Sequence, residues 1–300
     1  MARHASLMTR PVPVSLEIAG IGTGFEFAGP DFKPLVARRY EKFSSPGGPR
    51  YIFSVNTAAG SQAPFRPKIS ETGGVLRLKR GDFDCVLDLK TGLGVLKSAP
   101  RIQTFDSFLR TFYSWALLRE GGMLLHCAGL VKNGKAYLFP GKSGAGKSTL
   151  SKLAAFVPHP SRHPFREIRH RGHRTAVSPT LIPHPSPGAE VVSDELNLVR
   201  FEKGRFRVYG SPFWGEMRNE GRQGAWPLAK VFILKKAKRN KVSAAVPGEA
   251  LRLLLRCLMN FSKSPETSAA ALDNAAALLA GVEFLRLEFT KRDAGFLNLI

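Results

Sequence analysis

Cysteine is scarce in this chain: Cys85, Cys127 and Cys257 are the only three in 300 residues. They are far apart, odd in number and outside metal-ligand spacing, which argues against a disulfide-stapled scaffold and a cysteine zinc site. Free thiols suit a reducing compartment, and the cytoplasm is the expected location. Long apolar runs are also missing, since none approaches the roughly 18 residues that a membrane helix needs. The opening MARHASLMTRPVPVSLEIAG holds no continuous apolar stretch of signal-peptide type. No membrane partner is expected. Acidic residues are few, 23 Asp plus Glu against 45 Lys plus Arg, for a net charge of +22. The excess is spread along the chain, so the surface attracts anions in general: nucleotides, phosphopeptides, acidic proteins or nucleic acid. A generally basic surface is the plain alternative. No repeat, zinc-finger spacing or RNA-recognition signature is present, and nucleic-acid binding, which would rest on charge alone, is not expected.

What is present is an ordinary globular composition, 43% hydrophobic. The length suits about two domains. Residues 1–100 read as a small, β-rich antiparallel domain. VSLEIAG, YIFSVNTA, VLRLKR, FDCVLDL and GVLKS are short runs with β-branched or aromatic residues, and turn pairs such as Gly81-Asp82 and Thr91-Gly92 separate several of them. DFKPLVARRYEKF (31–43) interrupts them as a helix.

Residues 101–300 read as the second domain. A helix over 104–119, capped by Thr104 and ended at Gly121-Gly122, carries Phe105, Phe108, Leu109, Phe112 and Leu117 as a core stripe. MLLHCAGLV and AYLFP are strands joined by a tight turn whose Asn133-Gly134 suits positive φ. LSKLAAF is a helix. VVSDELNLVRF and GRFRVYGSPF pair about Lys203-Gly204, and WPLAKVFILKK is another strand. PGEALRLLLRCLMNF and ETSAAALDNAAALLA are helical, and VEFLRLEFTK and FLNLI read as late strands. The run Lys235, Lys236, Lys238, Arg239, Lys241 reads as a solvated loop.

Residues 157–188 differ from the rest, with five of the seven histidines and seven of the 21 prolines. Repeated proline prevents a continuous helix or inner strand, so a disordered basic insert is expected. His159, His163, His170, His173 and His184 lack the regular spacing and companion carboxylates of a metal site.

The strongest signal is Gly141-Lys142-Ser143-Gly144-Ala145-Gly146-Lys147-Ser148, a full match to G-x-x-x-x-G-K-[ST] between a strand and a helix. Small residues let successive N–H groups turn inward around phosphate oxygens, and the helix start adds its positive end. Lys147 can reach the β and γ phosphates, Ser148 can offer its hydroxyl to Mg²⁺, and Thr149 can assist at the next position. Phosphoryl transfer also needs an acid at a neighbouring strand end. Val191-Val192-Ser193-Asp194-Glu195 supplies two, and Asp194 and Glu195 can divide metal holding and base work in either order. His126 lies on the strand before the hairpin, where a core histidine is the commoner outcome.

LLHCAGLVKNGKAYLFPGKSGAGKSTL followed by VVSDEL resembles the catalytic domain of bacterial HPr kinase/phosphorylase, and most nearly the HPr kinase-related proteins. YGSPFWGE and PLAKVFIL extend the resemblance, which covers about residues 103–300 outside the insert. It implies an α/β (α+β) fold: a mixed-sheet P-loop kinase core shared with phosphoenolpyruvate carboxykinase. It implies ATP and Mg²⁺, with Gly141, Ser143, Gly144, Ala145, Gly146, Lys147, Ser148 and Thr149 binding the phosphates. Ser148, Asp194 and Glu195 would hold the metal, and Asp194, Lys147 and His126 would form the catalytic centre, with Asp194 as base. The acceptor would be a hydroxyl, a serine of a small protein or peptide, and the protein a homo-oligomer. Three features depart from the family. The second acid is Glu195 rather than Asp, the downstream signature associated with phosphorolysis has no good match, and 47 residues part Lys147 from Asp194. The Glu195 change and the missing signature favour an alternative, an ATP-binding regulatory or assembly protein without efficient turnover; a small-molecule kinase is a third reading. The segment GEMRNEGRQG (215–224) is placed to cover the site, with Arg218 or Arg222 able to touch phosphate.

Overall fold

A computed structural model of the chain describes residues 13–61, 66–155, 189–218 and 221–300. The fold is mixed α/β, with two mixed sheets and five α-helices among the described residues. The insert at 157–188, with its expected disorder and its histidines, lies outside them.

The first sheet contains β1 (Val14–Ile18), β2 (Ile21–Phe27), β3 (Tyr51–Thr57), β4 (Lys68–Thr72), β5 (Val75–Arg80), β6 (Phe83–Asp88) and β7 (Leu93–Ser98), in the order β1-β2-β3-β7-β6-β5-β4. The sequence reading expects an antiparallel sheet, but β2–β3 and β3–β7 are parallel pairs. The reason is the helix between β2 and β3, α1 (Phe32–Arg39), which carries the chain back to start β3 in the same direction. The sequence reading passes over β2, because the glycines of IGTGFEF dilute its strand signal; Gly24 lets Pro49 pack close over the strand.

One long helix, α2 (Ile102–Arg119), covers this sheet. Phe105, Phe108 and Phe112 meet Phe25 and Phe53 edge-on, with Phe25–Phe105 at 4.9 Å and Phe53–Phe108 and Phe53–Phe112 both at 5.4 Å between centroids. The reverse side of α2 packs on the second sheet, so that every residue from Thr111 to Leu118 is buried. Over these two turns the helix has no solvent face to offer. Thr104 is not its cap. Arg101 occupies that position, and the Thr104 hydroxyl instead donates to Asp82 Oδ2 at 2.7 Å.

The second sheet is built on two long strands, β8 (Gly122–Lys132) and β13 (Ala225–Lys236). With β9 (Lys135–Pro140), β11 (Leu196–Glu202) and β12 (Arg205–Tyr209) they form a closed circuit, β8-β11-β12-β13-β9 and back to β8. β10 (Glu190–Ser193) extends β8, while β15 (Glu283–Phe289) and β14 (Lys241–Ala244) continue beyond β13. The β8–β9 turn puts Asn133 at φ 51° and Gly134 at φ 72°, the mirror-image turn geometry that fits the strand twist. Strand β9 then feeds the phosphate loop and α3 (Lys147–Ala155). Helices α4 (Pro247–Cys257) and α5 (Pro265–Gly281) carry the chain from β14 to β15.

Two late elements differ from the sequence reading. FLNLI is a 3₁₀ turn, Gly295–Leu299, because β14 already occupies the outer edge of β15. The basic run is no single loop: Lys235 and Lys236 end β13, and Lys241 begins β14.

Candidate functional site

The phosphate loop spans residues 141–146, between the end of β9 and the first turn of α3. Gly144 and Gly146 take φ of 74° and 105°, backbone that a side chain disfavours and that turns the loop around a hollow. The Lys147 ammonium donates to the Gly141 carbonyl at 3.1 Å, across the mouth of that hollow.

One cavity of about 760 Å³ joins the loop to the acids. His126, Gly141, Ser143, Gly144, Gly146, Lys147, Ser148, Thr149, Asp194 and Glu195 all line it, although Lys147 and Asp194 are 47 residues apart. Sheet pairing brings them together: β8 lies beside β9, and β10 and β11 both pair along the other edge of β8. Asp194 and Glu195 occupy the short gap between β10 and β11, which Ser193 Oγ shapes by accepting from the Glu195 and Leu196 amides, each at 3.1 Å. Ala145 is the exception among the expected loop residues. It faces away from this cavity, and its amide donates to the Lys142 carbonyl at 3.0 Å.

The two acids have different surroundings. Asp194 is 4% exposed and accepts the Met217 amide at 3.1 Å. A Cβ at Gly215 would overlap the Asp194 carboxylate, so glycine is required where that turn crosses the acid. Glu195 is half-buried and accepts from Arg110 Nη1 at 3.1 Å. Arg110 also donates from Nε to Asp106 Oδ2 at 2.6 Å and from Nη2 to the Trp214 carbonyl at 2.8 Å. Asp106 Oδ1 in turn accepts the Tyr40 hydroxyl at 3.1 Å. Burial and the Asp106 charge push the Tyr40 phenol well above its usual range.

His126 is solvent-exposed rather than a core histidine. Its pKa lies below the ordinary 6.5, through loss of hydration and then the neighbouring Lys147 charge, partly opposed by Glu195. Across the cavity, Glu216 accepts from Lys152 Nζ at 2.5 Å and from the Ser148 hydroxyl, which together hold its carboxyl below the usual range. Burial pushes the Cys257 thiol up, while the Gly141 amide donates to its sulfur.

Sequence reasoning missed four contributors. Arg110 sits in an apolar helix whose stripe reads as core, and nothing local signals its partner 85 residues away. Glu216 belongs to the segment expected to cover the site, but its pairing with the loop helix was not legible. Lys236 and Arg256 reach the cavity from a strand end and from α4. Arg218 and Arg222, offered as phosphate contacts, do not line the cavity. Arg222 instead pairs with Glu190 at 2.7 Å and lies over Trp226.

The described residues contain no helix long and apolar enough to cross a membrane. No protein-family model matches this chain, and neither does any curated protein.

Proposed function

We propose that this chain is an ATP- and Mg²⁺-dependent kinase of the HPr kinase-like type, transferring the γ-phosphoryl group to a serine hydroxyl of a protein or peptide. The observation that carries the reading is the meeting of a complete phosphate loop with a buried carboxylate, Asp194, in one cavity.

A phosphate chain suits the lining. The loop amides and the start of α3 offer donors, and among the described residues Lys147 has only the Gly141 carbonyl to leave. Magnesium suits the oxygen donors of Ser148, Asp194 and Glu195. Among the described residues no three His, Cys, Asp or Glu side chains stand close enough to hold a metal unaided, and Mg²⁺ characteristically takes one or two carboxylates together with substrate phosphates and water. When bound, it would neutralise charge on the phosphates. Lys147 would hold the β and γ phosphates as a point charge. Asp194, fixed by the Met217 amide and closed in by Gly215, would accept the proton of the attacking hydroxyl. Glu195 keeps its position through Arg110 and suits the metal side.

Thermal stabilisation by Mg-ATP, lost in Lys147→Ala, tests the binding half. Transfer of label from ATP to protein in cell extract, lost in Asp194→Asn with ATP binding retained, tests the chemistry. Binding without transfer to protein or metabolite favours a regulatory ATP-binding protein, a reading supported by the Glu216 carboxylate already engaged with Ser148. Transfer to a metabolite alone favours a small-molecule kinase.

A further inference from the structure

A second cavity, about 1050 Å³, lies against residues 141–145 of the loop, between the end of β13 and helix α4. It touches neither the helix start at Lys147 and Ser148 nor the acids, yet it shares Lys142, Lys236, Leu253 and Arg256 with the cavity that does. The two spaces therefore adjoin across α4 and the loop.

The second cavity adds apolar surface and Arg252 to the cations that the two spaces share. Ile233, Leu234 and Leu253 give it an apolar floor, and Val246 and Leu255 stand 59% and 37% exposed at its side. Among the described residues its one lining acid, Glu249, is neutralised by Arg286, and Lys235 is paired with Glu288. Four cations remain: Lys142, Lys236, Arg252 and Arg256 have no carboxylate partner among the described residues. Arg252 and Arg256 are four residues apart on α4 and so project from one side. Unpaired cations beside uncovered apolar surface fit an occupant bearing both carboxylates and apolar side chains. A small anion alone would leave the apolar floor in water.

Building on the kinase reading above, we propose that this cavity seats the flank of the acceptor: an acidic peptide segment whose carboxylates meet Arg252 and Arg256 and whose apolar side chain covers Leu253 and Leu234. Its neighbouring serine would enter the adjoining cavity past Arg256.

The test is fluorescence anisotropy with fluorescein-labelled Asp-Asp-Leu-Ser-Leu-Glu-Asp at physiological salt. Two comparison peptides replace the acids by Asn and Gln, or both leucines by Gln. The acidic leucine peptide is expected to bind at least about tenfold tighter than either, consistent with a few tenfold-scale contacts. Arg252→Glu should remove at least tenfold of that affinity, with Arg252→Gln intermediate. Lys90→Glu, an exposed position in the turn after β6 remote from the cavity, should change it less than about twofold if the effect is local. Unfolding midpoints check that the variants fold. Equal binding of the three peptides, or equal loss in Arg252→Glu and Lys90→Glu, overturns the proposal. Serine peptides phosphorylated regardless of flanking charge overturn it while the kinase reading stands. Specific peptide binding without transfer from Mg-ATP to any serine overturns the kinase reading, and with it the assignment of the bound peptide as acceptor.

Discussion

Arg110 donates to Glu195 at 3.1 Å, and the same guanidinium holds Asp106 and the Trp214 carbonyl. One side chain on the helix between the sheets thus fixes an acid of the loop cavity and the segment that carries Trp214.

Arg110→Ala removes three donated bonds, leaving Glu195 without its cation and Asp106 with the more distant Arg39, at 3.8 Å. The expected loss is about 1–3 kcal/mol of stability, read from urea unfolding. Arg110→Lys should recover only part, since an ammonium cannot reproduce the planar fork.

Gly215→Ala should move Asp194, because the added methyl overlaps its carboxylate. Overpacking of this kind costs about 1–3 kcal/mol. The proposed phosphotransfer should fall by roughly 10²–10⁴, as for loss of a positioned base, while Mg-ATP stabilisation persists. Calorimetry and a transfer assay on the same preparation separate the two effects.

The pH dependence of His126 has a definite sign. Its folded pKa lies below the ordinary 6.5, so the unfolded chain binds the proton more readily and acid favours unfolding. The penalty is absent well above pH 6.5 and grows as pH falls through the depressed folded value. The urea midpoint of wild type should therefore drop more between pH 7.5 and 5.5 than that of His126→Gln.

Glu216→Gln should leave the unfolding midpoint nearly unchanged, since its bond to Lys152 is an exposed ion pair. Removing a negative charge from the cavity and loosening Ser148 should tighten Mg-ATP binding by titration calorimetry. Weaker binding would instead place Glu216 among the groups that hold the nucleotide's metal.

The parts legible in the sequence are those where local chemistry dictates residue type. The phosphate loop demands its glycines and lysine at fixed spacing, the Asn133-Gly134 turn demands positive φ, and the acid pair ends a short apolar strand. Arg110 and Glu216 were illegible because their partners are set by tertiary packing across 85 and 64–68 residues. The same holds for the strands. β2 hides behind its glycines, and β14 forms only because β15 offers an edge. FLNLI has a strand's composition, yet it lies against β14 as a 3₁₀ turn and pairs with no strand among the described residues.

Helix α2 has consequences for how this protein can be divided. Its aromatic face completes the first sheet, its other face lies on the second, and Asp106 and Arg110 between them tie Tyr40 to Glu195. The helix is a party wall: neither sheet keeps a finished interior if the other is cut away. A fragment starting at residue 101 would carry the whole 141–148 loop yet lay bare Phe105, Phe108 and Phe112, so the cavity around that loop cannot be lifted out as a free-standing cassette.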